Sequence, residues 1–378
     1  GSGIWVALSM IGVSAIGMIL FTSRPVGDAM ATTIWGTASS WTLTALPLFV
    51  WMGEILFRTK LSENLFKGLS PWMQKLPGGL IHVNVVGCAL FAAISGSSAA
   101  TVATVGKMSI PELRKRNYPE KILLGSLAGS GTLGLLIPPS IILIIYGVAV
   151  QESIAKLFIA GIIPGIMIAL IFMSYVVIWS LINKKEMPQI LEEYSFFEKI
   201  KRSKQLLPVI LLITSVIGSI YTGVATATEA ASLGVVGALI LSYFQSSLTL
   251  ETFKSSLLGA TKTSCMIAFI LAGSTFLSLA MGFTGLPRNL AVWIQNMNLS
   301  PYLLILVLMI FYIILGMFLD GISAVVLTMA IIEPMIRQAG FDMIWFGIFL
   351  VIVVEMAQIT PPVGFNLFVL QGMANKDM

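Results

Sequence analysis

The chain has very few charged residues. Asp, Glu, Lys and Arg make up 10% of its 378 residues and apolar residues 57%, whereas soluble domains carry about 25% charged residues. A soluble fold could not cover so large an apolar interior with polar surface. A bilayer accepts an apolar exterior and asks each spanning helix for about 20 apolar residues. The composition therefore predicts an all-α polytopic membrane protein, with the lipid bilayer as its surroundings.

Groups that most catalytic and redox sites need are also scarce. His82 is the only histidine, and the two cysteines, Cys88 and Cys265, stand far apart within apolar stretches. They are therefore interpreted as small core residues and not as a metal or redox pair. No second acidic residue lies beside Asp320, and no Gly-x-x-x-x-Gly-Lys-Ser/Thr loop occurs. These absences argue against an enzyme and against an ATP-driven pump, and nothing indicates a cofactor or a nucleic-acid partner.

Two of the long apolar segments contain adjacent prolines. Pro138-Pro139 interrupts residues 121–150, and Pro361-Pro362 interrupts residues 343–370. Proline removes a backbone donor and clashes with the preceding turn. In lipid a broken helix is tolerated only where its freed carbonyls face protein, water or an ion. Both segments are therefore predicted to be broken helices.

Two further apolar regions turn back at a short polar stretch. Residues 79–110 turn at Ser95-Gly96-Ser97-Ser98, and residues 301–334 turn at Asp320-Gly321. The stretch 79–93 and the two return stretches are short for a bilayer crossing. We predict two re-entrant hairpins with these polar residues at their tips.

The two sets of elements repeat along the chain. Adding 223 to Pro111, Arg114, Pro138 and Pro139 gives Pro334, Arg337, Pro361 and Pro362, and the same offset carries Ser97 to Asp320. An odd number of crossings between the repeats makes the second one inverted, as in many secondary transporters. This topology puts eighteen of the 22 Lys and Arg residues on one side, which is then cytoplasmic. The other side has only Arg24, Lys156, Arg288 and Arg337.

These elements divide the chain into four regions. Residues 1–41 are predicted to form an N-terminal scaffold helix and a loop. Repeat 1 covers 42–182, with a scaffold helix, an amphipathic arm, the hairpin 79–110, the broken helix 121–150 and a helix at 156–182. Residues 183–262 form a cytoplasmic linker and connecting helices. Repeat 2 covers 263–378, with a scaffold helix, an arm at 287–297, the hairpin 301–334 and the broken helix 343–370.

Polar backbone from both repeats is expected to meet at the membrane midplane, where unwound carbonyls and hydroxyls can hold sodium without burying a protein charge. Asp320 is singled out because a carboxylate in an apolar helix pair needs a cation or a proton as partner. The predicted sodium ligands are Ser95, Gly96, Ser97, Ser98, Gly134, Pro138, Asp320, Gly321, Thr360 and Pro361, and Ser97 and Asp320 are the principal ones. The predicted substrate contacts are Ser98, Pro139, Ser140, Pro362 and Asn366.

Four stretches at these positions resemble the large (M) subunit of tripartite ATP-independent periplasmic (TRAP) transporters. They are Phe91–Ala99, Gly131–Ser140, Phe318–Gly321 and Gln358–Asn366. The resemblance implies an elevator mechanism in the bacterial inner membrane, with Na⁺ as coupling ion on Ser95, Ser97, Ser98, Asp320 and Thr360. It also implies two protein partners, a small four-helix membrane subunit and a periplasmic substrate-binding protein that delivers an organic acid.

One alternative stays open at this stage. A stand-alone sodium/organic-anion symporter of similar hairpin architecture would need no binding protein. Arg288 on the second arm is a weak candidate for holding a carboxylate and is better explained as an interfacial anchor. Because M subunits usually begin one helix earlier and end one helix later, we expect further helices beyond both ends of this sequence.

Overall fold

The computed structural model describes residues 6–59, 61–188, 194–285, 289, 300–362 and 364–374, and their regular structure is helical. The first ten helices are α1 (Val6–Phe21), α2 (Val26–Ala38), α3 (Ala45–Phe57), α4 (Leu61–Met73), α5 (Ile81–Ser95), α6 (Ser98–Lys115), α7 (Glu120–Gly131), α8 (Leu133–Leu136), α9 (Ile141–Ala149) and α10 (Ile154–Ile182). The others are α11 (Phe196–Ser203), α12 (Leu207–Tyr221), α13 (Ala227–Phe244), α14 (Leu250–Thr284), α15 (Pro301–Gly316), α16 (Gly321–Gln338), α17 (Met343–Gln358) and α18 (Phe365–Ala374).

Several of these helices can cross a membrane. By length and composition α10, α13, α14 and α16 each qualify alone. Three bent pairs reach the required length together: α2 with α3 at 50°, α7–α8 with α9 at 41°, and α11 with α12 at 57°. The prediction of a polytopic all-α membrane protein is confirmed.

The helices pack in two groups. In the first, α14 packs along α1, α2 and α3, and α13 packs between α3 and α12. In the second, the hairpin α5–α6 packs on α7 and α8, α15 and α16 pack on α17, and α18 packs on α6. The groups touch mainly where α3 meets α5 and α9, and where α14 meets α16. We call the first group the scaffold and the second the core.

The core contains both predicted hairpins and both predicted breaks. The chain turns between α5 and α6 and between α15 and α16, and the broken helices separate at residues 137–140 and 359–364. The peptide bonds Pro138–Pro139 and Pro361–Pro362 are both cis. The return helices were expected to end at residues 110 and 334, but they continue to Lys115 and Gln338, with Pro111 and Pro334 inside them. A proline removes only one intrahelical hydrogen bond, so a long apolar helix can continue past it.

Three other expectations differ from the structure or fall outside it. The segment expected to be an N-terminal loop contains α2, which packs on α14. The second scaffold helix begins at Leu250, inside the region assigned to the linker, because its first turn has a Thr249 capping box. The second arm at 287–297, with Arg288, lies outside the described residues apart from Asn289.

Two glycines on α14 test how closely the scaffold helices pack. A β-carbon at Gly273 would lie 2.9 Å from the carbonyl oxygen of Ala7 on α1, whereas one at Gly282 would meet nothing within 4 Å. Backbone cannot move aside as a flexible side chain can. We therefore expect Gly273→Ala to destabilise the protein by about 1–3 kcal/mol. Gly282→Ala should be neutral or stabilising by up to about 1 kcal/mol because alanine favours helix. Thermal unfolding in detergent measures both, and equal melting temperatures would contradict the packing.

Candidate functional site

The tip of the first hairpin touches the first helix break through its backbone. Gly96 ends α5 in the left-handed conformation, with φ of 58°, which glycine adopts without steric cost. Its carbonyl oxygen accepts a hydrogen bond of 3.2 Å from the Ile141 backbone N–H at the start of α9. A β-carbon at Gly96 would lie 2.8 Å from the carbonyl oxygen of Pro139. The hairpin tip is therefore held directly against the break.

Hydroxyl and carbonyl oxygens cluster at this tip. The Ser95 and Thr101 hydroxyls lie 2.8 Å apart, and the Thr101 hydroxyl donates to the Ser97 carbonyl oxygen at 2.8 Å. The Ser97 hydroxyl caps α6 by accepting from the Ala100 N–H at 3.5 Å. Gly134 on α8 completes the arrangement, because a β-carbon there would lie 2.6 Å from both the Ser97 carbonyl and the Thr101 hydroxyl oxygens. The predicted positions Ser95, Ser97 and Gly134 are thus brought together.

The first helix break is buried, and its polar groups bond to neighbouring residues of the same segment. Pro138, Pro139 and Ser140 are all buried. The Ser140 hydroxyl donates to the Leu135 carbonyl oxygen, and the same oxygen atom of the side chain accepts from the Leu143 N–H at 3.3 Å, which caps α9. Ser140 was predicted as a substrate contact. In the structure its hydroxyl links the two sides of the break through these two hydrogen bonds.

A buried carboxylate from the second half supports the first break. Glu355 on α17 is only 5% exposed, and its Oε1 accepts a hydrogen bond of 3.0 Å from the Leu135 backbone N–H. The same N–H also bonds to the Thr132 carbonyl oxygen at 3.1 Å. Glu355 thus gives a backbone N–H a second acceptor where α7 and α8 are interrupted.

Both hairpin tips approach Gln358 at the end of α17. The Ser98 hydroxyl donates to Gln358 Oε1 at 2.9 Å, and a β-carbon at Gly321 would lie 2.5 Å from Gln358 Nε2. Gln358 is 2% exposed and immediately precedes the second break. This side chain therefore joins the tip of the first hairpin to the start of the second break and lies against the tip of the second hairpin.

The second half of the site is more open than the first. Asp320 is exposed, and it caps α16 by accepting from the Ser323 N–H at 3.1 Å. Thr360 is half-buried and donates its hydroxyl to the Met356 carbonyl at 2.7 Å, while Pro361 and Pro362 are exposed. The deep burial expected for Asp320 is therefore not observed, because the residue lies at a helix N-terminus where a carboxylate is stabilised by free N–H groups.

Asn366 lies near the start of α18, and its polar side chain has no evident role in stabilising the fold. It is fully buried, and neither amide atom has a hydrogen-bond partner among the described residues. Buried amide groups in native proteins are almost always paired. This orphan amide lies two residues after Gly364 and is a candidate ligand contact, as the sequence predicted.

Two arginines related by the offset of 223 residues bond to helix ends in the core. Arg114, in the last turn of α6, donates to the Ala374 carbonyl at the end of α18 at 3.1 Å. Arg337, in the last turn of α16, donates to the Val150 carbonyl just after α9 at 3.0 Å. Each cation thus caps the C-terminal end of a broken helix in the other half of the chain, where the helix dipole favours positive charge.

Comparisons with known proteins agree with this geometry. The model of the family described as "Tripartite ATP-independent periplasmic transporter, DctM component" matches residues 2–378. The chain belongs to this family. It is therefore a transporter permease and not an enzyme, and a multi-pass protein of the bacterial inner membrane. The resemblance noted from the four motifs is confirmed.

Curated relatives in the family carry different substrate names. The chain is 34% identical over 360 residues to the C4-dicarboxylate TRAP transporter large permease protein DctM of Pseudomonas aeruginosa, covering 95% of this chain and 84% of that one. It is 30% identical over 377 residues to the isethionate TRAP transporter permease protein DctMQ of Oleidesulfovibrio alaskensis, covering 99% of this chain and 58% of that one.

A solved structure shares the fold. The YdaH transporter of Alcanivorax borkumensis matches with a TM-score of 0.68 at 12% identity, covering 98% of this chain and 90% of that one. At this identity the likeness concerns the fold alone.

Sequence reasoning missed several residues at the breaks. Thr101, Gln358 and Glu355 are not among the predicted site residues. A signal was available: Glu355 and Gln358 are the polar residues that interrupt the apolar run just before Thr360-Pro361-Pro362. Polar side chains within a spanning segment are functional candidates by default.

Glu355 provides a test of the first break. The Leu135 N–H also bonds to the Thr132 carbonyl oxygen at 3.1 Å, so Glu355→Leu removes one of its two acceptors. It should destabilise the protein by about 0.5–1.5 kcal/mol, the net contribution of a typical hydrogen bond. Glu355→Gln keeps an acceptor oxygen and a similar volume, so it should unfold near the wild-type temperature. Thermal unfolding in detergent compares them. If the two variants melt together, the hydrogen bond does not support the break.

Proposed function

We propose that this chain is the large membrane subunit of a sodium-coupled, binding-protein-dependent importer of a small organic acid. One observation carries the proposal: two hairpin tips and two helix breaks meet around Gln358 and Glu355. Helix interruptions are costly in a membrane interior and persist where they build an ion or substrate site.

We further propose that the two halves are inverted repeats with re-entrant hairpins. The arginine contacts support this, because residues related by the offset of 223 make related bonds. Arg114 reaches residue 374 and Arg337 reaches residue 150. Under an inverted topology these two contacts lie on opposite sides of the membrane. The charge distribution then makes the Arg114 side cytoplasmic.

Sodium is proposed to bind next to each hairpin tip. At the first tip, the Ser97 carbonyl and the hydroxyls of Ser95 and Thr101 provide neutral oxygens within 2.8–3.3 Å of one another, with Gly96, Ser98 and the Gly134–Pro138 backbone alongside. At the second tip the proposed ligands are Asp320, Gly321, Thr360 and Pro361. Such oxygen sets suit a hard monovalent cation.

The organic anion is proposed to bind between the breaks. The α6, α9, α16 and α18 helices all begin there, at Ser98, Ile141, Gly321 and Phe365. Their N-terminal dipole ends favour a carboxylate. The unpaired Asn366 amide offers both a donor and an acceptor, with Ser98, Pro139, Ser140 and Pro362 as neighbours in the proposed site.

Transport is proposed to follow an elevator mechanism, in which the core moves against the scaffold. Small residues allow close contact between the two groups: a β-carbon at Gly53 of α3 would lie 3.2 Å from the Ile94 carbonyl oxygen near the first tip. A rigid core that carries both hairpins could move as one body along this surface.

The proposed partners are a small membrane subunit and a periplasmic substrate-binding protein. The name of the family describes a tripartite system, and the Oleidesulfovibrio relative is a longer protein named DctMQ. The Pseudomonas relative is named for C4-dicarboxylates. A small carboxylate is therefore the substrate class to test first.

Uptake by reconstituted vesicles tests this function. Vesicles that contain this chain and the small subunit should accumulate labelled C4-dicarboxylates only when the binding protein is outside and a sodium gradient points inward. Replacing sodium with potassium is the control. Robust uptake without the binding protein would favour the stand-alone symporter, and uptake that is indifferent to sodium would contradict the proposed coupling.

Substitution of Asp320 by asparagine separates the effect of its charge on sodium binding from its effect on capping α16. Asparagine is as good an N-cap as aspartate, so Asp320→Asn should insert and fold normally while losing sodium-dependent transport. Ser97→Ala removes one neutral ligand and should mainly weaken sodium affinity, because a full charge beside the ion outweighs one hydroxyl dipole. Sodium titration of the uptake rate distinguishes the two effects.

Asp342 supplies the matched control. It caps α17 by accepting from the Trp345 N–H at 2.8 Å, as Asp320 caps α16. It lies at the end of α17 remote from the break. Asp342→Asn should leave the sodium dependence unchanged. If Asp320→Asn also transports at the wild-type rate with unchanged sodium dependence, Asp320 only caps its helix and the ions bind elsewhere.

A further inference from the structure

The short helix α11 lies outside the scaffold and the core and has no role in the proposed transport cycle. It begins with a capping box between Ser195 and Glu198, so its first turn is well defined. It meets the start of α12 at an angle of 57°. If α12 runs close to the membrane normal, α11 is strongly inclined toward the membrane plane at the end of that helix.

One face of α11 is apolar and exposed. The exposed fractions are 69% for Phe196, 78% for Phe197 and 43% for Ile200. At 3.6 residues per turn these three side chains share one arc of the helix. Large apolar groups this exposed at the end of a spanning helix fit the boundary between headgroups and acyl chains.

Basic side chains lie beside this apolar arc and at the C-terminal end of the helix. Lys201, Arg202 and Lys204 are all exposed. The one acid of the helix, Glu198, is engaged in the capping box through its bond to the Ser195 N–H at 2.9 Å. An apolar arc bordered by cations is the pattern of helices that bind anionic membrane surfaces.

The α4 helix holds α11 in place from one side. The Trp72 indole N–H donates to the Ser203 hydroxyl at 2.7 Å, and the Trp72 ring meets the Phe196 ring edge-on at 6.2 Å between centroids. Lys199 Nζ lies 5.4 Å from the centroid of the Trp72 ring. These contacts occupy the Lys199 side and leave Phe197 and Ile200 turned away from the protein.

We propose that α11 is a binding surface for anionic phospholipid headgroups of the cytoplasmic leaflet, with Phe197 and Ile200 inserted among the acyl chains and Lys201, Arg202 and Lys204 contacting phosphates. The choice of leaflet rests on the proposed topology, but headgroup binding itself does not depend on sodium coupling or on the substrate. The opposite charges of the helix and of acidic lipids select lipid over a second protein as the occupant.

A fluorescent probe at the helix tests the proposal. In a Cys265→Ser background, Phe197→Cys is labelled with an environment-sensitive dye, and the protein is reconstituted in phosphatidylcholine with or without phosphatidylglycerol. Lipids with brominated chains should quench the dye more strongly when phosphatidylglycerol is present. The variant Lys201→Gln/Arg202→Gln/Lys204→Gln should lose this dependence, since each basic residue contributes about fivefold in affinity for an anionic surface.

A charge-matched variant is the control. Lys184→Gln/Lys185→Gln/Lys254→Gln removes the same number of exposed charges from residues outside α11 on the same proposed side, and should behave as the parent. Phosphatidylglycerol retained by the unlabelled proteins after detergent extraction gives a second readout and should fall only in the α11 variant. Quenching and retention that ignore lipid charge would overturn the proposal. So would a probe that becomes buried only when the small membrane subunit is added, which would make this surface a protein interface.

Discussion

The structure of the core depends on how the first helix break satisfies its backbone groups. In apolar surroundings an unpaired N–H or C=O costs several kcal/mol, so residues 132–140 need partners from other elements. The Leu135 N–H finds the Glu355 carboxylate, and the Ile141 N–H finds the Gly96 carbonyl. These two bonds fix the first hairpin and α17 relative to the break. The site geometry follows from them, because Gln358 lies one turn beyond Glu355 and receives the Ser98 hydroxyl.

The two halves share a pattern but differ in exposure. The prolines of the first break are buried, whereas Pro361, Pro362 and Asp320 are exposed. A transporter built from inverted repeats must close one side while the other is open. In the proposed transporter, the difference in exposure corresponds to one closed hairpin and one accessible hairpin. Exchanging these two states would reverse access without changing the fold of either half.

The helix breaks and hairpin tips could be predicted from the sequence alone, but the side chains that contact them could not. Pro-Pro within an apolar run and a polar turn between two short apolar runs each have a direct physical meaning, so the breaks and the tips were located correctly. The roles of Glu355 and Gln358 depend on contacts with residues more than two hundred positions away. Periodicity carries no information about such contacts. Asp320 was expected to be buried because it lies within an apolar helix pair, whereas the structure makes it the exposed N-cap of α16.

Among the residues that the structure describes, Arg114 and Arg337 of the core cannot attract an anion to the proposed site. Arg114 and Arg337 are engaged at the far ends of the broken helices. The remaining sources of positive potential are the helix N-termini at Ser98, Ile141 and Gly321 and the sodium ions themselves. The C-termini of α5 and α17 end at the same place and present carbonyls, which favour cations. An anion and sodium would then stabilise each other across the breaks. Sodium binding would raise the affinity for substrate, and by thermodynamic linkage substrate would raise the affinity for sodium equally.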